Sequence, residues 1–276
     1  MSLPLSIGGQ DLCLEASPEI LESVRLRFGR FEGSTSGDGP RQDPIKLEVH
    51  ARPGGFLPIC DRPAAVSVRA VGSQEVVIEG AVRGRYLVEA RRGYIEDAPG
   101  PSAVDALIRV ALSISTPLDG ALLMHAAAIP TPSGHGIVLC GESGTGKSTA
   151  ATAFGGACDE LVVLRPAVDR VYLYSTPYWR GFPFRGRCTS VICLERGRAS
   201  DFALHRGSTA ALCLARHVVR YVAIEPISRA ILRVIGRICE AARVATAACP
   251  EGEAFVPFLR DAIKFDQVSA NASGPS

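Results

Sequence analysis

Residues Gly141-Glu142-Ser143-Gly144-Thr145-Gly146-Lys147-Ser148 satisfy the pattern G-x-x-x-x-G-K-[ST], and no other segment restricts the fold of this chain as strongly. Such a segment has to leave a strand, turn through a nest of backbone N–H groups and enter a helix. Only that path aims successive amides and a helix N-terminus at one anion. The flanks comply. Gly136–Cys140 is a short apolar run that predicts a buried strand, and Ser148–Phe154 predicts the first turns of a helix. Lysine usage adds weight, because of 30 Lys and Arg residues only Lys46, Lys147 and Lys264 are lysine. A planar guanidinium is too large for the nest, and the position that needs a compact ammonium has one. The expected nucleotide-binding residues are therefore Gly141, Glu142, Ser143, Gly144, Thr145, Gly146, Lys147, Ser148 and Thr149. Lys147 is expected on the β/γ-phosphates of ATP and Ser148 on Mg²⁺.

A chain of 276 residues with 47% hydrophobic and 21% charged residues has the makings of one large or two small globular domains. A formal net charge of +2 gives no global basic field, which argues against a nucleic-acid partner. Met1–Ser6 lacks a basic start and a long apolar core, so no signal peptide is expected, and no apolar run is long enough for a membrane span. The nine cysteines include no C-x-x-C pair. Reduced thiols and a cytoplasmic location are expected, with Cys140, Cys193 and Cys213 packing as small hydrophobes. No zinc site is expected either, since His205 and His217 are too far apart for a helical pair and no cysteine doublet accompanies them.

Residues 1–100 lean towards β structure, with alternating runs at Ile45–His50 and 65–71, β-branched Val76–Gly80, and Arg85–Ala90. They predict a small antiparallel module with a short helix at Pro18–Phe28 and a Gly/Ser-rich loop at Gly33–Asp43. A helix capped by Ser102 opens a second domain, 101–266. Within it Leu122–Ile129 and Gly136–Cys140 form two strands joined by a Pro/Gly turn, and Asp159–Leu164 with Arg170–Tyr174 form a hairpin. Further on are a strand at Thr189–Leu194, helices at 206–222 and 226–243, a strand at Val244–Ala248 and a helix at Glu251–Ile263. The polar segment 267–276 reads as a frayed tail.

Phosphoryl transfer also needs a metal and a group to take a proton. Asp159 and Glu160, at the entry of an apolar strand soon after the loop, are the candidates: one carboxylate for the hydroxyl proton, the pair for Mg²⁺. His125, alone in the apolar run Leu122–Ala128, reads on pattern alone as a core histidine. The segment Tyr178–Arg187 sets Arg180, Arg185 and Arg187 among aromatics, a composition that suits a substrate loop steadying a phosphate or a plain surface hairpin.

Met124-His125, the phosphate loop, the Asp159-Glu160 strand and Thr176-Pro177-Tyr178-Trp179 together resemble the C-terminal domain of HPr kinase/phosphorylase. They are more similar still to shorter bacterial relatives, among them lasso peptide kinases that phosphorylate a C-terminal serine. The likeness covers about residues 100–260. It implies an α/β fold with a P-loop kinase core like that of HPr kinase and phosphoenolpyruvate carboxykinase, here with a small β-rich N-terminal module. It implies an ATP- and Mg²⁺-dependent serine kinase acting on a peptide or small protein. Asp159 is then the base, Glu160 the second acid, Ser148 a metal ligand, and His125 a neighbour of the transferring phosphate. Relatives form homo-oligomers. Thr149 stands where HPr kinases usually have Glu, Glu160 where they usually have Asp, and the residues that grip HPr are not recognisable. A non-catalytic ATP sensor and an NTPase acting by hydrolysis are the alternative readings.

Overall fold

The computed structural model describes residues 1–33, 43–52, 65–178, 181–197 and 201–272, with side chains as far as residue 264. The expected loop at Gly33–Asp43 lies almost wholly outside the described residues. The chain divides into two compact units: Met1–Gly120 with Arg220–Ile231, and Ala121–Val219 with Leu232–Ser276.

The first unit is built on seven strands: β1 (Ser2–Ile7), β2 (Gln10–Glu15), β3 (Ile45–Ala51), β4 (Val66–Val71), β5 (Glu75–Gly80), β6 (Gly84–Leu87) and β7 (Arg92–Ala98). They hydrogen-bond in the order β1-β2-β3-β7-β6-β5-β4. The sheet is mixed, because β3 runs parallel to both β2 and β7. That departs from the expected antiparallel module. β1, β2 and β7 carry no long β-branched run, which is why they escape a reading based on composition.

α1 (Pro18–Phe28) falls where expected, with Pro at its start, Glu19 in its first turn and Arg25 and Arg27 in its last. α2 (Pro101–Leu118) begins with Pro101, so Ser102 lies inside it, not at its cap. This helix is apolar nearly all round and packs on β3, β6 and β7. It therefore extends the N-terminal unit to Gly120, beyond the boundary expected at residue 100. Its one buried acid, Asp105, is 1% exposed and is held by Arg27 at 3.1 Å and Arg109 at 3.3 Å, as a charge removed from water requires.

The second unit has a sheet of β8 (Leu122–Pro130), β9 (Gly136–Gly141), β10 (Leu161–Pro166), β11 (Val171–Ser175), β12 (Arg185–Arg196), β13 (Asp201–His205) and β14 (Arg243–Cys249). Their order is β11-β10-β8-β9-β12-β14-β13, and β11 also bonds to the first residues of the long β12. β9, β12 and β14 run parallel, and β9 is buried along its whole length, which explains its unbroken apolar sequence. α3 (Lys147–Phe154) and α6 (Phe255–Ala272) supply the side chains that fill one face of this sheet. Ala150, Ala151, Phe255 and Leu259 meet Ala127, Leu139, Ile192 and Ala247 there. α6 remains helical to Ala272, into the stretch expected to be frayed. α4 (Gly207–Ala215) is shorter than the helix expected over 206–222, and α5 (Glu225–Ala241) follows it. Together these make a mixed α/β protein. No helix among the described residues is long and apolar enough to cross a membrane.

Candidate active site

The segment 141–148 joins the C-terminal end of β9 to α3, the strand–loop–helix path its glycines suggested. Two glycines are fixed by both backbone and space. Gly146 has φ +99°, and a Cβ there would lie 2.5 Å from Cζ of Phe255 at the start of α6. Gly144 has φ +78°, and its carbonyl accepts hydrogen bonds from Arg196 at 2.9 and 3.2 Å. Thr145 Oγ1 donates to the Glu142 carbonyl at 2.9 Å and tightens the turn. Gly146→Ala is expected to cost about 1–3 kcal/mol, because it combines a disfavoured backbone with an unyielding aromatic neighbour. Thermal unfolding of that variant checks it, and an unchanged midpoint would contradict the packing described.

Lys147 is 7% exposed, and its Nζ donates to the carbonyls of Gly141 at 2.7 Å and Glu142 at 2.9 Å. Burial draws its pKa below the ordinary lysine value, while the charge of Asp159 pulls the other way. Both carbonyls belong to the loop itself, so the ammonium is held at the mouth of the nest.

Asp159 owes its position to the far end of β8. Ala128 N–H donates to the Cys158 carbonyl at 2.9 Å, and Ala157 N–H donates back to Ala128 at 2.7 Å. From below, the Thr176 hydroxyl braces the Leu161 carbonyl at 2.6 Å, giving the Thr-Pro-Tyr stretch a structural task. Asp159 is 8% exposed; the Ser148 hydroxyl is near enough to favour its ionised form, and Oδ1 has no hydrogen-bond partner within the protein. Burial raises its pKa above the ordinary aspartate value, opposed by the neighbouring Ser148 hydroxyl, the charge of Lys147 and, once protonated, His125. A desolvated carboxylate oxygen left unpaired is costly and is the group a hard cation or a hydroxyl would satisfy. The residues present therefore fit a magnesium–triphosphate ligand: Ser148 and Asp159 as oxygen donors, Lys147 and the loop as the anion cradle.

His125 pairs in register with Leu161, and its Nδ1 lies 3.0 Å from the Glu160 carbonyl. Since a carbonyl only accepts, Nδ1 carries the proton and Nε2 is left as an acceptor. Partial burial of the ring, then the charge of Lys147, lower its pKa and keep the imidazole neutral at pH 7. The structure thus brings Lys147, Ser148, Asp159, Glu160 and His125 around one loop, although pattern alone made His125 a core residue. The loop and His125 line a cavity of about 830 Å³ together with Arg196, Arg216 and His217. Sequence reasoning had assigned no role to those last three. They lie on β12 and just after α4, with no motif to mark them.

The arginines of the expected substrate loop are not part of this group. Arg180 lies outside the described residues. Arg185 and Arg187 belong to β12, opposite Tyr174 and Tyr172, and Arg185 stacks over Tyr172 with its guanidinium carbon 4.7 Å from the ring centroid. Arg187 lines a separate cavity with His205, Arg206 and Arg243, near the N-terminal ends of β9 and β14. The phosphate loop leaves the opposite end of β9.

No family model matches the sequence. No curated protein matches it either. Among solved structures, the chain is similar to the HPr(Ser) kinase/phosphatase from Coxiella burnetii, with 10% identity and a TM-score of 0.34. The likeness covers 54% of this chain and 98% of that one. At this level it is a distant structural relationship.

Proposed function

We propose that this chain is an ATP- and Mg²⁺-dependent kinase that transfers a phosphoryl group to a serine hydroxyl of a peptide or small protein. The observation that carries this reading is the buried Asp159 carboxylate, one oxygen without a partner in the protein, beside a glycine loop that ends in Lys147. The choice of serine and of a peptide acceptor rests on the resemblance of the His125, loop and acid motifs to HPr-kinase-like proteins.

In this reading Ser148, Asp159 and Glu160 hold Mg²⁺, which supplies charge neutralisation to the phosphate oxygens. The amides of 141–146 bind and orient the triphosphate, and Lys147 neutralises charge on its terminal oxygens. Asp159 accepts the proton of the attacking hydroxyl. His125, neutral and with a free Nε2, accepts a hydrogen bond at the cavity wall and orients the acceptor hydroxyl. Mixing the protein with γ-labelled ATP, Mg²⁺ and serine-containing peptides tests the proposal. Label on the peptide is expected. Label only in free phosphate makes the chain a hydrolase, and bound but intact ATP makes it a sensor.

The pH dependence has a defined sign. The base must be ionised, so kcat/KM falls about tenfold per unit as pH drops through the pKa of Asp159 in the free enzyme. Burial raises that pKa, so the acid limb lies above the ordinary aspartate value of 3.8. A pH–rate profile with its acid limb at or below that value counts against Asp159 as the base.

A further inference from the structure

Alternate residues of a strand face opposite sides of the sheet, and on β9 and β12 this separates two sets of side chains. Leu139, Ile192 and Leu194 join the core under α3 and α6, whereas Cys140 and Cys193 face the other way. These two cysteines are register partners on adjacent parallel strands, 0% and 4% exposed, with their sulfurs 3.3 Å apart. Just past α4 the chain returns over that face and brings in His217. One ring nitrogen of His217 and the two sulfurs all lie within 4.8 Å of one another. Among the described residues no other trio of His, Cys, Asp or Glu donors is so close. Cys213, one turn before His217, lies 3.9 Å from Thr246 Oγ1 and stands outside this trio.

Small-residue packing accounts for two buried thiols side by side, but not for an imidazole converging on them. Thiolates with imidazole form a borderline-soft donor set that selects zinc-class cations over magnesium or calcium. With Zn–S bonds of about 2.3 Å, tetrahedral coordination separates two sulfurs by roughly 3.8 Å, so only a small opening of the pair is needed. The donors at positions 140, 193 and 217 form no doublet, so the absence of a zinc signature in the sequence is uninformative here.

We propose that Cys140, Cys193 and His217 bind a divalent cation of the zinc class, with solvent as the fourth donor. The site lies on the wall of the cavity that the 141–145 loop also lines, and it does not depend on the kinase reading. Binding releases one proton from each coordinating thiol to solvent, with no change of oxidation state.

Titrating the reduced, metal-free 276-residue chain with Co²⁺ alone, without nucleotide, tests this site separately from phosphoryl transfer. A single equivalent is expected to bind, with sulfur-to-cobalt charge transfer in the near ultraviolet and the strong visible bands of a tetrahedral centre. Cys193→Ser is expected to abolish binding. His217→Gln, on the cavity side of the strands, is expected to weaken it about tenfold or more while leaving the fold intact. Absence of the charge-transfer band in the reduced wild type, or full-strength binding by His217→Gln, would overturn the proposal. So would a Cys140–Cys193 disulfide that forms in air whether or not metal is present.

Discussion

Lys147→Ala is expected to lower phosphoryl transfer on the order of a hundred-fold or more while the chain remains folded. The size follows from losing a preorganised cation aimed at developing charge in a partly desolvated pocket, where one missing donor typically costs two to three orders of magnitude. The fold should survive because the lysine holds two carbonyls of its own loop, Gly141 and Glu142, and no more distant partner. Lys147→Arg should fail to rescue, since the broad guanidinium does not fit a cup shaped by Gly144 and Gly146. Initial rates with labelled ATP, together with thermal unfolding, check both parts. Near wild-type turnover in either variant would remove Lys147 from the mechanism.

Asp159→Asn is expected to abolish transfer to a comparable degree yet keep nucleotide bound, and also to raise thermal stability. The first effect removes the proton acceptor without changing side-chain shape. The second follows from linkage. A carboxyl group whose folded-state pKa is raised contributes stability that is fully present below its unfolded value and is lost as pH rises through the folded value. At neutral pH the ionised Asp159 therefore opposes folding, and neutral Asn relieves that burden. Loss of activity with a gain in stability is the pattern expected of a functional group held in an unfavourable state. A sensor that never transfers phosphate would give the same output with either residue. A drop in melting temperature would show that the carboxylate is structural.

What the sequence disclosed depended on how local each signal was. The 141–148 loop, its strand and its helix were legible because eight consecutive residues encode backbone geometry and charge together. Asp159 and Glu160 were legible through their place at the entry to the apolar strand Leu161–Leu164. His125 was not legible from pattern, because its pairing with Leu161 and its contact with the Glu160 carbonyl are cross-strand facts. Arg196, which steadies Gly144 from the end of β12, was invisible for the same reason: its partner is 52 positions away. The parallel pairing of β3 with β2 and β7 was also hidden. Alternation reports which face of a strand is buried but not the direction of its neighbour. The arginines at 185 and 187 left two readings open, a substrate loop or a surface hairpin, because a run of aromatic and basic residues looks the same in a loop as in a strand that stacks guanidinium on tyrosine.

Because β11 is bonded on both sides, to β10 and to β12, the second sheet does not end there. Among the described residues its open margin is β13, five residues long, with Asp201 at one end and His205 at the other. So short a rim offers little template for strand addition by another copy or for fibrous aggregation. Self-association of this unit is therefore expected to rely more on helix or loop surfaces than on its backbone ladder.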